Sequence, residues 1–385
     1  MRRGLTAPVT AGVVSALVGF TSSFVVLLTG LSAVGATPAQ AAGGLLAASV
    51  AMGVACVVLS VTTRLPIAAA WSTPGAALLV TTGGVAGGWP AAVGAFLVTG
   101  VLVVLTGLVP QLGALVARIP ASLAQAMLAG VLLQICLQVL TGLQRSPVAV
   151  GVVVAVWLLG LRLAPRWAVP LAFAAAAAVT VVAATGAAGP LTPGLELTAP
   201  TFTWQALTGI ALPLYLVTMA SQNVAGVAVL AGLGYRVPWR RAMLVTGVAT
   251  VVAAPAGAHA VNLAAISAAL TAGPEAGEDR SRRWIASSTA GVVLVVLGLG
   301  STAVAALVGL APAGVVAAVA GLALLGTLAA STQAALADPA DRVPAIAALV
   351  TAASGVAFLG ISSAFWALVA GLLVRAVVGR GQRAV

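Results

Sequence analysis

"AWSTPGAALL", residues 70–79, decides how this chain is read. It lies in an apolar run, about 65–82, yet places Ser72, Thr73, Pro74 and Gly75 side by side near the middle. In a bilayer core each freed backbone N–H or C=O costs several kcal/mol unless something answers it. Pro is favoured at the first helical position and Ser or Thr just before it, as an N-cap. The stretch therefore reads as extended chain, a cap at Thr73 and a half-helix starting at Pro74.

The surrounding composition says that the medium is lipid. Of 385 residues, 62% are hydrophobic and 6% charged, where a soluble domain carries roughly 25% charge. The longest polar stretches, Gly189–Pro200 and Gly273–Arg283, leave no room for a nucleotide-binding domain, which argues against ATP-driven transport by this chain alone. The net charge of +11 comes from arginines scattered between apolar runs, so it reads as topology setting and implies no nucleic-acid partner. Cys56 and Cys136 show no metal or redox spacing, and no cofactor is expected. Arg2, Arg3 and the apolar run to Val34 imitate a signal peptide, but the run far exceeds the usual 7–15 residues and reads as a retained first helix.

Apolar segments fall at about 8–33, 43–62, 65–82, 89–109, 120–141, 147–161 and 168–188. After the polar connection "GPLTPGLELTAP" they resume at about 204–233, 241–255, 257–272, 285–310, 312–336, 343–359 and 361–378. The third and tenth are the shortest and most broken, and arginine decides whether they cross. If all fourteen cross from a cytoplasmic N-terminus, Arg2, Arg3, Arg64, Arg118, Arg162, Arg166, Arg236, Arg240 and Arg241 face the cytoplasm. So do Arg280, Arg282, Arg283, Arg342, Arg375, Arg380 and Arg383, and Arg145 alone lies outside. If the two broken segments do not cross, the arginines between them invert, against the positive-inside bias.

The halves resemble each other. "RLPIAAAWSTPGAALLVTTG" (64–83) aligns with "AAPAGAHAVNLAAISAALTAG" (253–273) with one gap, Pro66 falling on Pro255. "GFTSSFVVLLTG" (19–30) corresponds to "TMASQNVAGVAVLAG" (218–232) in placement and in its polar patch. Seven spans is an odd number, so two copies in series have opposite orientation, as in the inverted repeats of secondary transporters. The expected fold is an all-α polytopic membrane protein of fourteen transmembrane segments in two inverted sevens, with segments 3 and 10 discontinuous. Residues 1–188 form the first repeat, 189–203 an external linker and 204–385 the second.

Segment ten repeats the break: "PAGAHAVN" is interrupted by Gly, Asn262 is a good N-cap and "LAAISAAL" the half-helix. Inverted copies bring two half-helix N-termini together near the midplane, each with about +0.5 elementary charge and unpaired N–H groups that suit an anion. A proline kink that only helps helices pack explains one such break; two related ones favour a binding site. The other wall is expected from the patches on segments one and eight: Thr21, Ser22, Ser23 and Phe24, and Ser221, Gln222 and Asn223. A Gln-Asn pair at depth needs partners, and a helix–helix hydrogen bond is the competing role. All six acids fall in loops or at segment ends, leaving none at depth for a cation or a proton. His259, the only histidine, sits in the second break, where both a structural role and proton coupling are open. In "GPEAGEDRSRRW" (273–284) the acids can pair with arginines as a latch or simply face solvent.

"AWSTPGAALL" with "GAHAVNLAAISAALTAGPEAGEDRSRRW" closely resembles the benzoate–proton symporter family, the BenE-type benzoate membrane transport proteins, over the whole chain. The resemblance implies the fold of the uracil and nucleobase permeases and the sulfate permeases. In that fold a core domain (about 8–109 plus 204–310) moves against a gate domain (about 111–188 plus 312–378). It points to Ser72, Thr73, Gly75, His259, Val261 and Asn262 as substrate contacts. Gln222 and Asn223 stand where nucleobase permeases use an acid, which argues for an anion; an aromatic carboxylate would rest its ring on Phe24. The expected function is proton-coupled symport of benzoate or a similar aromatic carboxylate across a bacterial inner membrane, with both termini cytoplasmic. The alternatives are a transporter, exchanger or channel of this fold for another small anion and, more remotely, an intramembrane enzyme or scaffold. Oligomeric state is left open, a homodimer included.

Overall fold

The structure, a computed structural model, describes residues 5–117, 120–184, 194–356, 358 and 363–381. Arg2, Arg3, Arg118 and Arg383 of the topology argument lie outside them, as does the start of the linker, 189–193.

The first repeat comprises α1 (Thr6–Ala33), α2 (Pro38–Thr63), the short strand β1 (Ala69–Trp71) leading into α3 (Thr73–Thr82), and α4 (Gly88–Leu108). It continues with α5 (Pro110–Ala117), α6 (Ala121–Arg145), α7 (Pro147–Leu163) and α8 (Ala168–Ala183). The second comprises α9 (Trp204–Gly232), α10 (Trp239–Ala253), β2 (Val261–Leu263) leading into α11 (Ile266–Ala272), and α12 (Trp284–Leu299). Then follow α13 (Ser301–Leu310), α14 (Val315–Ala335), α15 (Arg342–Ala353) and α16 (Ser363–Gly381). Segments 3 and 10 are thus the strand–helix pairs β1–α3 and β2–α11. The sequence reading merged one short helix into its neighbour and left another, α5, in the gap between its fourth and fifth segments. Its eleventh segment, 285–310, divides at Gly300 into α12 and α13, and the corresponding place in the first repeat holds the short α5.

Packing follows the internal symmetry. α2 packs along α12, and the symmetry-related pair, α4 and α10, does the same. Both crossings run through glycine: a Cβ added at Gly53 would stand 2.5 Å from the Gly291 carbonyl oxygen, and one at Gly291 2.5 Å from that of Gly53. In the other crossing a Cβ at Gly247 would meet Val104 at 2.7 Å and one at Gly100 the Val251 backbone at 2.9 Å. Lipid tails are as apolar as leucine, so close backbone approach through small residues is what drives such contacts. Gly53→Ala is expected to cost about 1–3 kcal/mol by overpacking, read as a lower unfolding temperature in detergent; an unchanged midpoint would mean that this crossing is looser than described.

Elsewhere α6 packs along α14 and α15, and α15 along α16. Large apolar side chains of the outer helices, such as Val182 at 88% and Val377 at 73% exposure, point outward as a lipid-facing surface requires. Several contacts gather the arginine-bearing loops on one face. Arg241 donates to the Thr62 carbonyl, Arg64 stacks over Trp284, Arg280 lies over Tyr235, and Arg166 pairs with Glu275. On the opposite face the described part of the linker ties the halves together. Thr198 N–H donates to Pro255 O at 2.8 Å and Thr201 N–H to Pro90 O at 3.0 Å.

Candidate functional site

The broken segments meet as a two-stranded antiparallel ladder in which Ala69 faces Leu263, Ala70 faces Asn262 and Trp71 faces Val261. Ser72 N–H to Ala260 O (3.0 Å) and Ala264 N–H to Ala68 O (2.9 Å) extend it at both ends. Each break therefore satisfies the other's backbone, which is how extended chain is tolerated among transmembrane helices.

Ser72, fully buried, is the joint of this arrangement. Its hydroxyl accepts from Gly75 N–H at 3.1 Å as the N-cap of α3, and takes a further hydrogen bond from the Thr218 hydroxyl at 2.8 Å. Its carbonyl accepts from His259 Nε2 at 2.8 Å. A carbonyl can only accept, so Nε2 carries a proton, and Nδ1, buried without a partner among the described residues, is left bare in the neutral ring. One residue thereby joins α3, α9 and the second break. The cap falls one position before the expected Thr73, because the strand ladder holds Ser72 extended while Thr73 turns into the helix. Gly75 is needed here: a Cβ on it would lie 2.4 Å from Leu214 and 2.8 Å from the Ser72 hydroxyl.

The second break departs further from expectation. Asn262 does not cap α11. It stays in β2, paired with Ala70, and the helix starts at Ile266 behind Ala265 with no side-chain cap. Strand pairing continues to Ala264 and holds Asn262 out of capping range. Its amide oxygen and nitrogen are both buried without a partner among the described residues. Val261 gives its N–H to the Thr250 hydroxyl at 2.9 Å.

α9 winds as a π-helix at Met219–Asn223, the wide-turn form often found at functional sites. From this turn Asn223 accepts from Leu263 N–H at 2.9 Å, holding β2, while Gln222 faces a central cavity. The cavity, of about 140 Å³, lies where the two half-helix N-termini, α1, α9 and α14 converge. A single water needs only about 10–15 Å³ by the same measure, so there is room for a small organic molecule.

Of the residues singled out from sequence, Ser22, Ser23, Thr73 and Gln222 line this cavity. Thr21, Phe24, Ser72, Gly75, Asn223, His259, Val261 and Asn262 stand behind it. Thr21 bonds back to Leu17 O at 2.7 Å, and Ser221 bonds back to Val217 O. Phe24 is fully buried between Phe20 and Phe173 and does not line the cavity; among the described residues the aromatic side chain that does is Trp71. The Trp71 indole N–H donates to the Ser23 hydroxyl at 2.9 Å, and its ring meets Phe20 edge-on with centroids 5.6 Å apart. Trp71 was missed because an aromatic in an apolar run looks like core; its signal was its place directly before the helix cap. Ser15, Ser267 and Thr327 were missed too, and among the described residues no acid lines the cavity.

Fourteen segments in inverted sevens, with two broken segments crossing at the centre, define a secondary-transporter fold. The transmembrane domain of the cyanobacterial bicarbonate transporter BicA has this fold, with a TM-score of 0.67 at 15% identity over 97% of this chain and 98% of that one. The chain belongs to the benzoate membrane transport protein family, BenE, whose model matches residues 5–377. It is a multi-pass transport protein, not an enzyme. It is 38% identical to the inner membrane protein YdcO of Escherichia coli K12 over 94% of this chain and 93% of that protein. It is also 29% identical, with the same coverage, to the benzoate membrane transport protein of Acinetobacter baylyi.

Proposed function

We propose that this chain carries benzoate or a similar aromatic carboxylate across the inner membrane together with protons, with both termini cytoplasmic. The observation that carries the reading is the central cavity: a fixed indole wall, the Thr73 and Gln222 side chains and, among the described residues, no carboxylate around one small space. The Acinetobacter relative's name supports benzoate, and YdcO's name supports the inner membrane. The ring packs against Trp71, and the carboxylate takes hydrogen bonds from the Thr73 hydroxyl and the Gln222 amide beside the start of α3, whose dipole favours an anion. Ser72, Gly75, Asn223, Val261 and Asn262 serve by holding the breaks in place. Proton entry has two routes, protonation of the substrate itself or of the bare His259 Nδ1. Transport follows as the core domain, about 8–109 plus 204–310, moves against the gate domain, about 111–188 plus 312–378.

The test is uptake of labelled benzoate into proteoliposomes under an inward proton gradient, against protein-free liposomes because benzoic acid crosses bilayers unaided. Uptake above that baseline, dependent on the gradient and reduced about tenfold in Gln222→Ala, is the expected result, tenfold corresponding to about 1.4 kcal/mol. Uptake equal to empty liposomes by folded protein would remove benzoate. Another small anion on the same fold is the second reading, favoured by the bicarbonate transporter's likeness; counterflow with that anion would reveal it.

A further inference from the structure

A second cavity, of about 360 Å³, opens on the arginine-bearing face. It is lined by the first turns of α1 (Thr6, Ala7, Thr10, Ala11, Val14), by Leu270 of α11, and by Arg166 and Glu275. The central cavity begins on the next residues of the same helix, Ser15, Val18, Gly19 and Ser22, and Leu270 lines both. Positions 7, 11, 14, 18 and 22 recur at helical spacing and make one continuous face of α1. A third cavity, on the other side, is lined by Thr29, Thr81, Gln134 and Gln138 and shares no lining residue with the central one.

We propose that this vestibule is the path by which small carboxylates pass between the arginine-bearing face and the central cavity, with Leu270 as its constriction. Three observations converge on it. The vestibule and the central cavity adjoin along a single helix face, and one apolar side chain stands at their junction. Leu270 belongs to the same short helix whose start faces the central cavity through Ala265 and Ser267. A shift of that half-helix would move the constriction and one wall of the site together. The mouth is marked by the ion pair between Arg166, in the turn after α7, and Glu275, in the turn after α11. The pair sets a positive group beside the entrance without leaving it unbalanced. It joins a loop of the first repeat's outer helices to the loop that follows the second half-helix, so any relative motion of those parts is felt at the entrance.

The proposal rests on the transport reading, but its test needs no substrate. Ser22→Cys would be treated in membrane vesicles with a small, impermeant, sulfonate-bearing methanethiosulfonate. Glu278→Cys, exposed in the arginine-bearing loop, marks that face, and every variant is made in a Cys56→Ser, Cys136→Ser background because the native Cys56 also lines the central cavity. The expected result is labelling of Ser22→Cys from the face that labels Glu278→Cys, slowed at least about tenfold by adding Leu270→Trp. Ala11→Trp, on the opposite wall, should slow it too and serves if Leu270→Trp fails to fold. Labelling from the opposite face only, no labelling at all, or labelling undiminished by both tryptophans would overturn the path. If benzoate is the wrong substrate, uptake fails while this labelling pattern stands.

Discussion

Trp71→Ala is expected to lower benzoate uptake at least about tenfold, mainly by raising KM, while the protein stays folded. The indole forms the only aromatic wall that lines the central cavity among the described residues. A well-placed aromatic pair is worth roughly 0.5–1.5 kcal/mol beyond the area it buries, and tenfold corresponds to about 1.4 kcal/mol. Trp71→Phe keeps a ring but loses the hydrogen bond to Ser23, so it should fall between wild type and Trp71→Ala. The comparison is best made as concentration dependence of uptake in proteoliposomes. Equal KM in all three proteins would show that the ring of the substrate rests elsewhere.

The second large effect concerns Ser72. Replacing it with Ala leaves Gly75 N–H uncapped and the Thr218 hydroxyl without its acceptor, both in a site closed to water. Loss of a cap costs about 1 kcal/mol and a stranded buried polar group about 1–3 kcal/mol. Together they should lower the unfolding temperature in detergent clearly and abolish transport. Thr73→Ala, one residue on, removes a hydroxyl that caps nothing, so it should leave thermal stability near wild type while weakening uptake. If Thr73→Ala proves the less stable of the two, the half-helix starts where the sequence alone suggested.

That pair of variants also shows where sequence reading reaches its limit. The first break was legible because its signals are local: Ser, Thr, Pro and Gly in a row bring a cap, a helix start and a close approach. The reading missed only by the one residue that strand pairing holds extended. The second break was legible as a break but not in its detail. Asn262 has the chemistry of a cap, and only the partner strand, far away in sequence, keeps it from capping. The fourteen segments could be read because arginine alternates with apolar runs, a pattern that tertiary contacts do not disturb. Site residues were harder to assign. α1 and α9 each show polar residues at depth, yet which ones face the cavity depends on helix rotation, and for α9 on a π turn that shifts Gln222 and Asn223 off regular spacing. Asn223 consequently supports the strand while its neighbour faces the cavity.

The ladder between β1 and β2 also bears on how the protein is made. Trp71 finds its partner, Val261, only about 190 residues later. At roughly 5–20 residues per second of synthesis, the first strand waits on the order of ten to forty seconds, already in or beside the bilayer, with its backbone groups unanswered. During that interval the nascent first half has an open edge that another chain, a lipid headgroup or an insertion factor can occupy. Biogenesis should therefore be most fragile between emergence of the third segment and of the tenth, and a message that pauses there should give more degraded product than one that pauses after residue 273.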